Sequence, residues 1–243
     1  MTLQENAKNG RMRSTTYGIS IGIPDCRVDF SPHITQRESD SIMNWYRKKV
    51  VPRLLNSEMG SDELEKIRRV VLADVSGTVL EIGVGPGYNI PMYKGISKLY
   101  ALEPSPELLD IAKTRKTSSE FSIEFLNTDA EHIPLPNQSV DTVVSTWTMC
   151  SVTNPTKVLR EIKRVLRPQG NFVFADHGAS PNTICYFIQR AFTSVIKYFN
   201  GNCHYDRNNE ALIKEADFSI KNIEYPKEKF NPLIYNYQGT ATK

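Results

Sequence analysis

The stretch that most constrains this chain is Thr78-Val79-Leu80-Glu81-Ile82-Gly83-Val84-Gly85-Pro86-Gly87-Tyr88. Its apolar run, Val79, Leu80 and Ile82, is that of a parallel strand covered on both faces. Gly83, Gly85 and Gly87 then let the main chain turn sharply and let a ligand approach bare backbone. Pro86 presets the φ of a turn or first helical position. Such a turn at the carboxyl end of a strand is where open α/β sheets bind nucleotide-like ligands.

The spacing is G-x-G-x-G, and Tyr88 stands where a dinucleotide fingerprint, G-x-G-x-x-G, has its third glycine. Charge separates the readings further. Glu81 lies just before the loop, and Glu103 ends the next strand-like run, Leu99-Tyr100-Ala101-Leu102. Glu103 suits a pair of ribose hydroxyls in either reading. A carboxylate at Glu81 repels a pyrophosphate but suits ammonium and sulfonium charge, which S-adenosylmethionine carries. An NAD(P)-dependent oxidoreductase and a non-catalytic S-adenosylmethionine-binding protein are the alternatives. A tight strand-to-helix turn without a ligand is the bland one.

The pattern along the chain is α/β. Residues 1–36 are polar and broken by glycine and proline, and read as a flexible N-terminal arm, with Tyr17 or Phe30 as candidate flap residues. The remainder, 37–243, reads as one domain: N-terminal helices over 37–75, a cofactor-binding core over 76–178, and substrate-side helices and closing strands over 179–243. In the first part, a helix over 38–55 is kinked or divided by Pro52, and a second, over 61–73, buries Leu64, Ile67, Val70 and Val71. Strands are expected at 78–82, 98–102, 121–126, 142–145 and 171–175, alternating with helices at 107–116 and 155–166. Ser105 and Asn154 are the expected N-caps, and Arg167-Pro168-Gln169-Gly170 ends the second helix. An aromatic-rich helix over 182–199, a helix over 206–216 and two alternating runs, 219–225 and 232–240, follow. The architecture is a Rossmann-like, seven-stranded, mostly parallel sheet with helices on both faces, an antiparallel C-terminal strand pair and an N-terminal helical extension.

Net charge is +3, which gives no warrant for nucleic acid, and Arg47-Lys48-Lys49 and Arg68-Arg69 read as solvated helix faces. The four cysteines, Cys26, Cys150, Cys185 and Cys203, are widely separated. Without a C-x-x-C pair or an acidic cluster they suggest no metal, and they read as reduced thiols of a cytoplasmic protein. No stretch approaches the roughly 18 apolar residues of a membrane span, which leaves peripheral membrane contact open.

The motifs together resemble class I S-adenosylmethionine-dependent methyltransferases, the type that includes ubiquinone and menaquinone C-methyltransferases. The matching words are Val79 to Gly87, Glu103-Pro104-Ser105, Asp129-Ala130-Glu131, Leu135-Pro136 through Ser139-Val140-Asp141, and Leu159-Arg160-Glu161 through Val165-Leu166-Arg167-Pro168-Gln169-Gly170. Thr148-Met149-Cys150-Ser151-Val152, Asp176-His177 and the end of the chain are similar to the methyltransferase-like thiol S-methyltransferases of animal endoplasmic reticulum and lipid droplets. The apolar N-terminal anchor of that group has no counterpart here.

The resemblance implies S-adenosyl-L-methionine as cofactor and assigns its contacts. Glu81, Gly83, Gly85 and Gly87 hold the methionine part, and Glu103 takes the ribose hydroxyls. Pro104 and Ser105 flank the adenine. Asp129 accepts from its amino group, and Ala130 donates a backbone N–H to the ring. Thr146 and Trp147 line the methyl-transfer side.

A sulfonium is already an activated electrophile, so the enzyme must chiefly align the reactants and exclude water. A base is needed only for a protonated nucleophile, and His177 with Asp176, at the end of strand five, are the candidates. His204 and Tyr205 are weaker ones. Cys150 lacks a basic context and reads as a pocket or core residue. The segment Thr146-Trp147-Thr148-Met149 lacks the Asn/Asp-Pro-Pro-aromatic word of nucleobase amine methyltransferases. The expected acceptor is a small, apolar molecule: a thiol, a quinol or a lipid-like compound.

Overall fold

Alternation of apolar side chains builds a sheet with two buried faces. The computed structural model describes residues 44–46, 48–115, 121–225 and 234–243. The expected arm over 1–36, with Tyr17, Phe30 and Cys26, lies outside the described residues, as do Ile42 and Arg47. Strands β1 (Gly77–Ile82), β2 (Ile96–Leu102), β3 (Ser122–Leu126), β4 (Val140–Thr146), β5 (Leu166–His177), β6 (Ser219–Glu224) and β7 (Asn236–Thr242) form one sheet in the order β3-β2-β1-β4-β5-β7-β6. The first five are parallel, and β7 runs antiparallel between β5 and β6. The closing pair is therefore antiparallel, as its alternation suggested.

Because successive side chains point to opposite faces, neighbours in a strand enter different cores. Leu80, Ile82, Val143, Phe172 and Phe174 pack with Val158, Leu159, Ile162 and Val165 of helix α4 (Pro155–Val165). Val79, Val144 and Val173 pack on the other side, with Leu109 and Ala112 of α3 (Pro106–Lys113). Helices α1 (Val51–Met59), α2 (Asp62–Val71), α5 (Thr183–Ile196) and α6 (Asn209–Glu215) and a 3-10 turn at Ile90–Met92 accompany them.

Local signals set the helix starts. The Ser105 hydroxyl accepts the Leu108 N–H at 3.3 Å with Pro106 in the first turn, and the Asn154 side chain accepts the Lys157 N–H at 3.0 Å. Pro52 lies in the first turn of α1, where its missing N–H costs nothing, so it begins that helix and divides it from the residues before Val50. Two details differ from expectation, and a third was left open. The segment Arg167-Pro168-Gln169-Gly170 belongs to β5, which starts at Leu166, directly after α4. Val70 is exposed, and it is Arg68 that α2 buries. On α5 the buried residues are Cys185, Gln189 and Thr193, while Ile184, Phe187 and Val195 face outward. Gln189 explains part of this arrangement: it accepts the Ser180 N–H at 2.8 Å and donates to the Gly178 carbonyl at 3.2 Å, so the polar edge secures the helix to the end of β5. No helix among the described residues is long and apolar enough to cross a membrane.

Candidate active site

Strand order reverses between β1 and β4, so the crevice at their carboxyl ends is the topological switch point where such sheets bind ligands. A cavity of about 910 Å³ opens there. The glycine loop forms one wall. Gly83, Gly85 and Gly87 have φ of +64°, +53° and +80°, the left-handed region that glycine enters without penalty. They differ in what surrounds them. A Cβ on Gly85 would meet nothing nearer than the Gly83 carbonyl at 3.9 Å, so this backbone is bare toward the cavity. A Cβ on Gly87 would lie 2.9 Å from the Ala112 Cα, so that glycine serves the close approach of loop and α3.

Glu103 follows β2 and is nearly buried. Its Oε2 accepts the Gly85 N–H at 3.0 Å and its Oε1 the Ser105 N–H at 2.9 Å. Burial raises its pKa above the usual carboxylate value, against the pull of those two bonds. Each oxygen keeps a lone pair, which is the acceptor geometry a vicinal diol needs. Asn127 donates to the Glu103 and Pro104 carbonyls at 2.9 and 3.1 Å and so fixes the turn that carries Glu103.

Glu81 is 1 % exposed. The Tyr93 hydroxyl donates to its Oε2 at 2.9 Å and the Asn89 amide to its Oε1 at 2.8 Å. That amide also donates to the Thr146 hydroxyl at 3.0 Å, which joins β1 to β4 across the switch point. Burial pushes the Glu81 pKa up to about 7, opposed by the bonds from Tyr93 and Asn89 and by the charge of Arg68. The folded state therefore binds this proton more tightly than the unfolded chain does. The resulting stability is fully present below about pH 4.5 and is lost as pH rises through about 7. For the cofactor-free protein, Glu81→Gln should raise stability at pH 8 by roughly 1–3 kcal/mol and flatten the fall between pH 5 and 8. Buried Asp176 adds a slope of the same sign in both proteins, so the difference between their thermal melts isolates Glu81. A pH-independent difference would sink the assignment.

Arg68 corrects the reading of Arg68-Arg69 as a solvated pair. Arg69 is exposed, but the Arg68 guanidinium lies under the cavity, 4.8 Å from the Trp147 ring and 5.4 Å from the Tyr88 ring. Burial lowers its pKa, with Glu81 as the strongest opposing charge. Trp147 itself has φ of +49°, an outlier for a bulky side chain. Its N–H donates to the Ala175 carbonyl at 2.7 Å, and its indole N–H to the Asn236 amide oxygen at 3.4 Å. These bonds hold the ring on the cavity wall. Thr148, behind the loop, donates to the Ile82 carbonyl at 3.2 Å.

The remaining predicted residues lie around the same cavity, except Asp176 and His204, and Gly87 of the loop does not line it either. Pro104, Ser105, Asp129, Ala130 and Thr146 line it. Asp129 is exposed, and its Oδ1 accepts the Glu131 N–H at 2.9 Å, leaving its second oxygen for a ligand. His177 lines the cavity, half-buried, with its ring 4.9 Å from that of Tyr205. Asp176 does not reach the cavity. It is buried, and its carboxylate accepts the backbone N–H of Cys150 at 3.2 Å and of His177 at 2.8 Å. Burial pushes its pKa up to about 6. His204 is tied through its N–H to the Cys150 carbonyl at 2.9 Å.

Arg68, Asn89, Tyr93 and Cys203 were not legible as site residues, because they come from segments with no motif of their own. Cys203 stands beside Cys150 and His177, a convergence that spacing along the chain does not reveal. The Cys150 and His177 side chains hold the Cys203 pKa down, while burial pushes Cys150 up.

The donor set fits an adenosyl-methionine ligand. Two carboxylates, a bare glycine loop and a buried Asn89 amide oxygen with no hydrogen-bond partner among the described residues face one cavity.

Comparison with known proteins agrees. A family model described as a methyltransferase domain matches residues 80–174. Thiol S-methyltransferase TMT1A of Homo sapiens is 30% identical over 217 residues, covering 81% of this chain and 88% of that protein. Thiol S-methyltransferase TMT1B of Rattus norvegicus is 31% identical over 172 residues, 68% of this chain and 70% of that one. Among solved structures, a SAM-dependent methyltransferase of Leishmania major superposes with a TM-score of 0.62 at 16% identity, covering 84% of this chain and 82% of that one.

Proposed function

Since the chain belongs to the class I S-adenosylmethionine-dependent methyltransferases, we propose that its acceptor is a small, apolar thiol. The observation that carries this reading is the reach of the similarity to thiol S-methyltransferases. It runs over 217 residues, well past the segment 80–174 that serves the cofactor. The far end of the cavity supports it: Cys150, His177, Tyr198, Cys203 and Tyr205 form a wall with few charges.

S-adenosylmethionine, when bound, supplies a methyl group on an activated sulfonium. The chain's own residues do the rest. Glu103 accepts from the two ribose hydroxyls. Glu81, with Asn89 and Tyr93, sets negative potential beneath the methionine end, and Arg68 is placed to pair with a carboxylate there. Asp129 and the Ala130 N–H read the adenine edge, which Pro104 and Ser105 flank. Gly83 and Gly85 let the ligand approach the main chain closely, while Gly87 lets the loop pack on α3. Thr146 and the Trp147 ring exclude water from the transfer side. His177 serves the acceptor end. Asp176 acts as a positioning residue, through the main chain of Cys150 and His177.

A panel of alkyl thiols, quinols and phosphatidylethanolamine tests this, with S-adenosylhomocysteine as the readout. Thiols should turn over and the other two classes should not. Turnover confined to quinols or to the phospholipid would overturn the thiol reading while leaving the methyltransferase intact.

A further inference from the structure

Three side chains of metal-ligating type, far apart in sequence, meet on the acceptor wall. Cys150 follows β4, His177 ends β5, and Cys203 sits in the loop after α5. The Cys150 Sγ lies 3.3 Å from the Cys203 Sγ and 3.8 Å from the His177 Nδ1, and the Cys203 Sγ lies 3.4 Å from that nitrogen. Zinc binds sulfur at about 2.3 Å and imidazole nitrogen at about 2.0–2.1 Å, so tetrahedral angles demand S···S near ~3.8 Å and S···N near ~3.5 Å. Each observed edge agrees to within about 0.5 Å, a shift that side-chain rotation supplies. Two sulfurs and an imidazole also select zinc over magnesium or calcium, which take oxygen ligands.

The surroundings hold these atoms together. Asp176 accepts the backbone N–H of two of the three residues, Cys150 and His177. The Cys203 loop is stapled to the Cys150 loop by the His204 N–H on the Cys150 carbonyl at 2.9 Å, and by the Asn202 amide on the Ser151 carbonyl at 2.8 Å. The Arg207 guanidinium donates to the Met149 carbonyl and, at 3.0 Å, to that of Val152. Asn200 donates to the Tyr205 hydroxyl at 2.6 Å and steadies the ring that packs on His177. This is a preorganised frame, of the kind that tunes metal affinity from outside the ligands.

We propose that Cys150, His177 and Cys203 form a three-ligand zinc site whose fourth position faces the acceptor end of the cavity. Three protein ligands with one exchangeable position is the arrangement of catalytic zinc, whereas structural sites close with four. All three residues line the same cavity as the glycine loop.

The role of this metal rests on the thiol reading above. An acceptor R–SH releases its proton to water and binds zinc as the thiolate. Its lone pair forms the new S–CH₃ bond while the bond from that methyl to the cofactor sulfonium breaks, and the bonding pair stays on the cofactor sulfur. The product is a neutral thioether, a weaker zinc ligand than the thiolate, and it leaves. His177 acts here as a ligand and no base is required.

The test uses the full chain purified under reducing conditions. Metal content is measured by mass spectrometry, and cobalt(II) is titrated in as a spectroscopic probe. The expected result is roughly one zinc per chain, with thiolate-to-cobalt charge transfer and the d–d bands of a tetrahedral site. Cys150→Ser and Cys203→Ser should each weaken zinc binding by at least about 100-fold, while Cys185→Ser, on α5 and outside the cluster, should not. The wild-type cobalt spectrum does not depend on the variants folding. A wild-type protein that holds no zinc and gives no thiolate–cobalt band overturns the proposal. So does a zinc-free protein that methylates thiols at the full rate, although the thiol reading then survives. Zinc bound in a protein that never methylates thiols supports the site and removes the thiol reading instead.

Discussion

Glu103→Ala should weaken S-adenosylmethionine binding by roughly 10²- to 10⁴-fold. The estimate comes from the loss of two hydrogen bonds to a charged acceptor, each worth about 1.5–3 kcal/mol. It is a large effect because the carboxylate is set for the task before the ligand arrives. Gly85 and Ser105 each donate to one oxygen, at 3.0 and 2.9 Å, so little ordering remains to be done on binding. Alanine also leaves two backbone N–H groups without their acceptor, which loosens the loop. Glu103→Gln separates these contributions. It retains one carbonyl oxygen and loses the charge, and should cost roughly 10- to 100-fold. Calorimetric titration measures all three proteins, with circular dichroism as the check on folding. Affinity within about threefold of wild type for the alanine variant would remove Glu103 from the ribose.

The second large effect contrasts two glycines of one motif. Gly87→Ala should destabilise the fold by roughly 2–4 kcal/mol, a fall of about 4–16 °C in melting temperature. The added Cβ meets the Ala112 Cα at 2.9 Å and the Ile90 Cδ1 at 3.0 Å, with φ at +80°. A flexible side chain can step aside, but the backbone of α3 cannot, and the left-handed φ adds about 1 kcal/mol. Gly85→Ala carries that conformational cost alone, about 1 kcal/mol, because its Cβ enters open space. Its main loss should appear in cofactor affinity, since the new methyl stands where a ligand would press on the main chain. Thermal melts and calorimetry on the pair check both halves. Equal destabilisation of the two variants would show that the loop's packing, rather than its opening to a ligand, dominates at both positions.

How far the site was legible depended on where each residue sits relative to a strand end. Glu81, Glu103 and the glycines stand at the tips of consecutive parallel strands, and the apolar runs before them announce those tips. The N-caps Ser105 and Asn154 were legible for a similar reason: capping is a bond between a side chain and the next turn of its own backbone. Arg68 was not, because the adjacent Arg69 has the same chemistry and is exposed. Which arginine faces Trp147 is set by the rotation of α2 against β4 and β5, a property of packing. Which edge of the aromatic helix α5 turns inward was not legible for a related reason. Periodicity shows that a stripe exists, but Gln189 and its bonds to Ser180 and Gly178 decided which edge turned inward.

The residue string by itself determined the alternation of strand and helix, the antiparallel close, the turn that needs left-handed glycines and the two acids beside it. These follow from local pattern: the spacing of residues within each strand, turn or helix, and the conformations a single residue can adopt. Only the tertiary structure brought Asn89 and Tyr93 onto Glu81, slid Arg68 under Trp147 and gathered Cys150, His177 and Cys203 on one wall. Those contacts join residues 8 to 79 positions apart. Chain topology and close packing decide such meetings, and neither can be read from the residues that meet.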